Sequence, residues 1–280
     1  MTYYGVGRVR WPATKLSNCF RTTAGGWSAR GSRDPEFFEK LSAQQTPKYL
    51  WIGCSDARVP ANEVVGLAPG ALFVHRNIGN VVVHTDFNVL SVIQFAVEVL
   101  AVRDVIVCGH YGCGGGQAAV SDTELGLADH WIRHIKDVRD RNERILSAIE
   151  DEGERIARLC ELNVVSQVHN VCTLPVIQGA WFRGRTLTVH GFIYDFHDGI
   201  LRDLHISTSG GGRRPIGACS KKLRDEAPIV PDRMSTRGSN SRSSSSGVRS
   251  ARTSSSICCR NSGDYGRWLF GIADSPFSSG

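Results

Sequence analysis

Between residues 49 and 194 the chain alternates short apolar runs with longer amphipathic ones. YLWIG (49–53), ALFVH (71–75), DVIVCG (104–109) and TLTVHGFIY (186–194) are rich in β-branched and aromatic residues and bounded by Gly, Pro or charge. This pattern predicts strands. They are near-continuously apolar, as strands covered on both faces of a parallel sheet must be.

The stretches between them read as helices. Asp34-Pro35 supplies a cap and a first-turn proline for DPEFFEKLSAQQ. TDFNVLSVIQFAVEVL (85–100) is apolar on most faces, which predicts a buried helix. ELGLADHWIRHIKDVRDRNERILSAI (124–149) places Trp131, Ile135, Val138, Ile145 and Leu146 near one side, and a further helical run over about 152–182 is interrupted by Pro175. Strands alternating with helices predict an α/β fold with a mostly parallel central sheet flanked by helices. In such sheets ligands gather beyond the carboxyl ends of the strands.

Composition narrows the function classes. The net charge of +6 looks like a nucleic-acid signal, but residues 1–33 hold six Lys/Arg and no acid, and residues 213–280 hold twelve against five acids. The central 34–212 is therefore acidic, with 15 basic and 22 acidic residues, and gives little reason to expect a groove built for phosphates. Three regions are expected: a basic extension over 1–33, a catalytic domain over 34–212 and a Ser/Arg-rich tail over 213–280. Both extensions are expected to be disordered, the tail because SRSSSSGVRSARTSSS (241–256) has little apolar material to offset ordering entropy. Nine cysteines, with Cys108, Cys160 and Cys172 in apolar surroundings, suit a reducing compartment better than a disulfide scaffold. No stretch predicts a membrane span. A cytoplasmic protein is expected, although the acid-free, Arg-bearing first 33 residues are also compatible with an organellar transit peptide.

The candidate chemistry sits at two strand ends. WIGCSDARVP (51–60) leaves its strand with Cys54 and Asp56, spaced C-x-D, and Arg58 two positions on. CGHYGCGGG (108–116) leaves another with His110 and Cys113, spaced H-x-x-C, on a glycine-rich loop. If the two strands are neighbours, two thiolates, an imidazole and a carboxylate converge, a donor set that matches tetrahedral zinc. Other readings compete. GCGGG could cradle a phosphate, but Gln117 stands where Gly-Lys-Ser/Thr would continue. A lone redox or nucleophilic thiol leaves Asp56 and His110 unexplained. A purely structural zinc site is the serious rival, with the carboxylate as its unusual feature.

C-S-D-A-R with a distant G-H-Y-G-C-G-G resembles the β-class carbonic anhydrases. The resemblance runs from about Asp34 to Ile206 through DPEFFEKL, V-P-A-N-E, PGALFVHRNIGN, LSVIQFAVEVL, C-E-L-N-V and HDGILRDL. It implies one zinc per chain, held by Cys54, Asp56, His110 and Cys113, and reversible hydration of carbon dioxide to bicarbonate and a proton by a zinc-bound hydroxide. It implies a gate in which Asp56 leaves the metal to pair with Arg58. It implies substrate contacts from Gln45, Phe73, Ile78 and Phe95, partly across the interface of a homodimer or dimer of dimers. One branch of the family adds a regulatory bicarbonate pocket, matched here by Trp51, Gly53, Val59 and Arg76. Carbon dioxide and bicarbonate are the expected partners, with no nucleic acid and no membrane. Ala57 stands where the family usually has Ser, Gly79 where it has Ala, and Phe95 where Tyr is common. A non-catalytic zinc-stabilised interaction domain, or a CS2 or COS hydrolase on the same fold, remains as an alternative.

Overall fold

The four apolar runs become the four parallel strands of one sheet. They are β1 (Tyr49–Cys54), β2 (Leu72–Asn77), β3 (Asp104–His110) and β4 (Thr188–Asp195). The computed structural model describes residues 34–43, 45–121 and 124–210; the expected extensions over 1–33 and 213–280 lie outside the described residues. The chain divides into two compact units, Met1–Thr46 and Pro47–Gly280. In the first, α1 (Phe37–Ala43) follows Asp34, whose carboxylate accepts from the Glu36 amide at 3.1 Å.

In the second unit β1 lies between β2 and β3, and β4 pairs with β3, all parallel. Two short strands missing from the sequence reading, β5 (Ile200–Asp203) and β6 (Thr208–Ser209), pair antiparallel with β4. His190 ties this corner together, bonding Asp104 of β3 through Nε2 at 3.1 Å and Ser207 through Nδ1 at 2.9 Å. β1 is almost wholly buried, as a central strand of this kind must be.

The helical segments differ from expectation in two places. Residues 85–100 form α3 (Phe87–Gln94) and then a π-helical turn, Phe95–Val99. Val89, Ile93, Ala96 and Val97 are buried, but Phe87 is 84% and Val99 64% exposed. The helix is thus buried on one face only. The expected helix over 124–149 breaks at Asn142 into α5 (Ala128–Arg141) and α6 (Glu143–Leu146), after α4 (Gly114–Ser121). Asn142 turns its amide back to the Val138 carbonyl at 2.8 Å, a side-chain bond that competes with helix continuation. Ile135, Val138 and Leu146 are buried as expected and Ile145 is exposed. The run over 152–182 is α7 (Glu152–Thr173) and α8 (Pro175–Phe182), with Leu174 extended ahead of Pro175. α7 packs on β3 and β4. A short helix, α2 (Ala61–Val64), follows β1. Among the described residues no helix is long and apolar enough to cross a membrane.

Candidate metal centre

Because β1 and β3 are parallel neighbours, with Gly53 opposite Cys108, their carboxyl ends open on the same edge. Cys54 closes β1 and His110 closes β3, while Cys113 follows a two-residue turn and leads into α4. The ligand atoms of Cys54, His110 and Cys113 lie within 4.8 Å of one another, and all three residues are buried. The glycine-rich stretch read as a loop is mostly the first turn of α4.

The backbone around these side chains prepares them for a metal. His110 Nδ1 lies 2.9 Å from the Tyr111 carbonyl. A carbonyl only accepts, so Nδ1 carries the proton and Nε2 presents its lone pair. That Nε2 is buried with no hydrogen-bond partner. The sulfurs of Cys54 and Cys113 are 3.9 Å apart. Their mutual hydrogen bond draws the Cys54 thiol down and pushes Cys113 up, with burial adding to the rise at Cys113. The Gly79 amide also points at Cys54 Sγ, at 3.4 Å. Gly79 has φ 75°, and a Cβ there would lie 2.6 Å from Ile135 Cδ1. Ile135 thus occupies the space that a side chain at this position would take. Asn77 holds the turn above Cys54 by bonding both the amide and the carbonyl of Val81. An orphaned imidazole nitrogen with its tautomer set, beside two paired sulfurs, fits zinc by ligand type and by the desolvation cost of leaving Nε2 unmet.

Asp56 stands beside this cluster but faces away from it. Its carboxylate receives Arg58 Nε at 2.9 Å and Nη2 at 2.7 Å, a two-point fork, and also the Arg58 amide at 3.0 Å. Arg58 holds the Asp56 carboxyl well below the usual carboxylate range. The nearer oxygen lies 3.8 Å from His110 Nε2.

Arg58 in turn lies over the ring of Phe196, 4.2 Å from its centroid, and that ring meets His110 edge-on at 5.1 Å. Phe196 carried no signal in the sequence, since it belongs to no spacing motif and reaches the site only through the fold of the β4–β5 turn.

The residues expected to bind substrate are scattered. Ile78 directly follows β2 beside Cys54 and is partly exposed, its carbonyl held by Trp131 Nε1 at 2.8 Å. Phe73 and Phe95 pack together with ring centroids 5.8 Å apart. However, Phe73 is opposite Leu50, four residues before Cys54, roughly 13 Å back along the strand at the usual rise. That pair is therefore not at its own chain's metal end. Gln45 is exposed and belongs to the first unit. Of the expected regulatory set, Trp51 and Val59 are buried. A Cβ on Gly53 would meet Trp51 Nε1 at 2.3 Å, so glycine is required under the indole. Arg76 already donates to the Cys54 carbonyl at 2.8 Å and the Asp56 carbonyl at 2.5 Å.

Comparison with known proteins agrees with this geometry. Residues 49–201 match the carbonic anhydrase family model. A carbonic anhydrase of Emericella nidulans is 49% identical over 183 residues, 65% of this chain and 80% of that protein. A tetrameric β-carbonic anhydrase of Sordaria macrospora superposes with a TM-score of 0.67 at 38% identity, over 70% of this chain and 99% of that one. A β-carbonic anhydrase of Aspergillus fumigatus gives 0.66 at 37% identity, over 75% and 97%. With the sheet order, the two-strand thiolate and imidazole cluster and these matches together, the chain belongs to the β-carbonic anhydrase family.

Proposed function

We propose that the protein catalyses reversible hydration of carbon dioxide to bicarbonate and a proton, with one zinc per chain. The observation that carries this reading is the convergence of Cys54, His110 and Cys113 on one point, with Asp56 forked onto Arg58 beside them. The two cysteines and His110 would hold the zinc, with Asp56 as the exchangeable fourth ligand. Zinc in such a site acts as a Lewis acid that brings the pKa of a water from about 15.7 to about 7.

The protein's own groups do the rest. Arg58 holds the Asp56 carboxylate aside in the structure. With zinc bound by Cys54, His110 and Cys113, that would leave room for water, and Asp56 would serve as a ligand if the fork opened. The Tyr111 carbonyl fixes the His110 tautomer, and the Gly79 amide steadies the Cys54 sulfur. Ile78, exposed just after β2, is assigned to an apolar wall of the carbon dioxide pocket. Gln45 is assigned a hydrogen bond to the substrate. Phe73 and Phe95 are assigned to the site of a second copy, since each lies on the wrong part of its own chain. Control by bicarbonate through Trp51, Gly53, Val59 and Arg76 belongs to the same reading; it requires Arg76 to exchange a carbonyl for the anion. The Asp56–Arg58 fork speaks against a closed structural zinc site, in which the carboxylate would have no reason to be held aside.

The test is a stopped-flow carbon dioxide hydration assay on the purified chain, with zinc measured in the same sample. Rapid hydration with one zinc per chain is expected, and His110→Ala should lose zinc and activity together. A zinc-replete protein without hydration activity would leave an interaction domain or a CS2 or COS hydrolase.

A further inference from the structure

Glu161 is a carboxylate on α7 that is only 7% exposed, and the proposed reaction makes no direct use of it. Its Oε1 accepts from Tyr111 Oη at 2.7 Å and its Oε2 from Arg158 Nη1 at 2.7 Å. Arg158 is itself nearly buried, with 11% of its side chain exposed. Burying an ion pair is a poor way to stabilise a helix, because desolvation offsets most of the attraction and apolar packing does as well. A buried pair is better suited to fixing one geometry.

The geometry in question is that of Tyr111, the residue after His110. Its amide donates to the Tyr194 carbonyl at 3.0 Å, its carbonyl accepts the His110 Nδ1 proton, and its hydroxyl ends on Glu161. The ring is buried. Three anchors on one residue leave its carbonyl little freedom, and that carbonyl sets the direction of the imidazole.

We propose that Glu161, braced by Arg158, is a positioning residue for the metal centre, acting through Tyr111 to aim His110 Nε2. The inference rests on the zinc reading and extends it from the ligands to the helix behind them. It explains why a Glu at this point of α7 faces the core, where its neighbours on the same face are Ala157, Val164 and Val168.

The test uses the full-length zinc-loaded protein and three variants, Tyr111→Phe, Glu161→Leu and Glu161→Gln. Zinc affinity is measured by competition with a chelating dye, and the cobalt-substituted forms are compared by visible absorption. Unfolding temperature is measured in parallel. Removing an outer-shell partner of a ligating histidine typically weakens metal affinity by about 10–100-fold. That loss, with an altered cobalt spectrum, is expected for Tyr111→Phe and Glu161→Leu. Glu161→Gln keeps an oxygen for the Tyr111 hydroxyl and should recover most of the affinity. Should Glu161→Leu fail to fold, Tyr111→Phe decides alone, since it removes a single oxygen. Variants that melt earlier yet hold zinc like the parent and give its cobalt spectrum would overturn the inference, leaving Glu161 as a tie between helix and loop. A parent protein that binds no zinc would overturn the metal reading itself, which separates the two failures.

Discussion

At the scale of single residues, the site is a set of side chains whose spare hydrogen-bonding capacity has been directed. His110 has one nitrogen spent on a carbonyl and the other left for a metal. Asp56 has both oxygens spent on Arg58. The spacings C-x-D-x-R and H-x-x-C made these residues legible in the sequence, because each motif leaves an apolar run at its carboxyl end. The roles of Phe196, Gly79 and Glu161 were not legible, because they come from contacts between distant segments. Two predictions belong here. Arg58→Ala should lower kcat/KM at least tenfold by freeing Asp56 to close the site. Its stability cost should be small, because Arg58 is largely exposed and its pairing is screened by solvent. The sign with pH follows from the lowered carboxyl of Asp56. A carboxyl depressed on folding adds stability above its unfolded pKa of about 3.9 and loses it as pH falls through the folded value. Chemical denaturation of parent and variant should therefore differ by a constant amount from pH 6 to 9 and converge only in strong acid; a difference that vanishes near neutrality would place the fork elsewhere. Phe196→Ala tests the ring under Arg58. Losing the ring beneath the guanidinium should loosen it, so hydrogen exchange at Arg58 Nε, followed by NMR, should quicken severalfold, and Phe196→Tyr should restore it. Unchanged exchange in the alanine variant would make Phe196 a packing residue only.

At the scale of elements, the apolar runs predicted the strands well because parallel strands covered on both faces must be apolar throughout. The misses have physical causes. β5 and β6 are short and polar on one side, so HDGILRDL carries too few apolar positions to announce a strand. The break at Asn142 hides inside a continuous amphipathic pattern, and a side-chain amide decides it. The start of α7 is clearer, since Asp151 accepts from the Glu154 amide at 2.8 Å. Asp151→Ala should cost about 1 kcal/mol, the usual worth of such a cap. Urea denaturation would measure it, and activity per folded molecule should be unchanged. A selective loss of activity would mean that this end of α7 communicates with the metal loop.

At the scale of the whole molecule, the one-sided burial of residues 85–100 and the place of the Phe73–Phe95 pair pose the same problem. A single chain exposes Phe87 and Val99 and partly exposes Phe95, and it keeps its aromatic pair roughly 13 Å along β1 from its own Cys54. A homodimer resolves both if each chain covers the other's apolar face and lends that pair to the other's site. Sedimentation should then show no 30.6 kDa species at micromolar concentration. Sharing of the site can be tested apart from assembly by mixing two impaired proteins. Arg58→Ala damages a chain's own metal centre, and the Phe73→Ala/Phe95→Ala double variant damages the pocket it lends. In a hybrid dimer the chain with intact Arg58 receives its aromatic pair from the partner with intact phenylalanines, so one of the two sites is whole. Refolding equal amounts together gives half hybrids if pairing is random. Activity should recover to about a quarter of the parent value, because half the dimers each carry one sound site out of two. If Phe73 and Phe95 served their own chain, every site in every hybrid would keep a lesion, and the mixture would be no more active than the average of its parts.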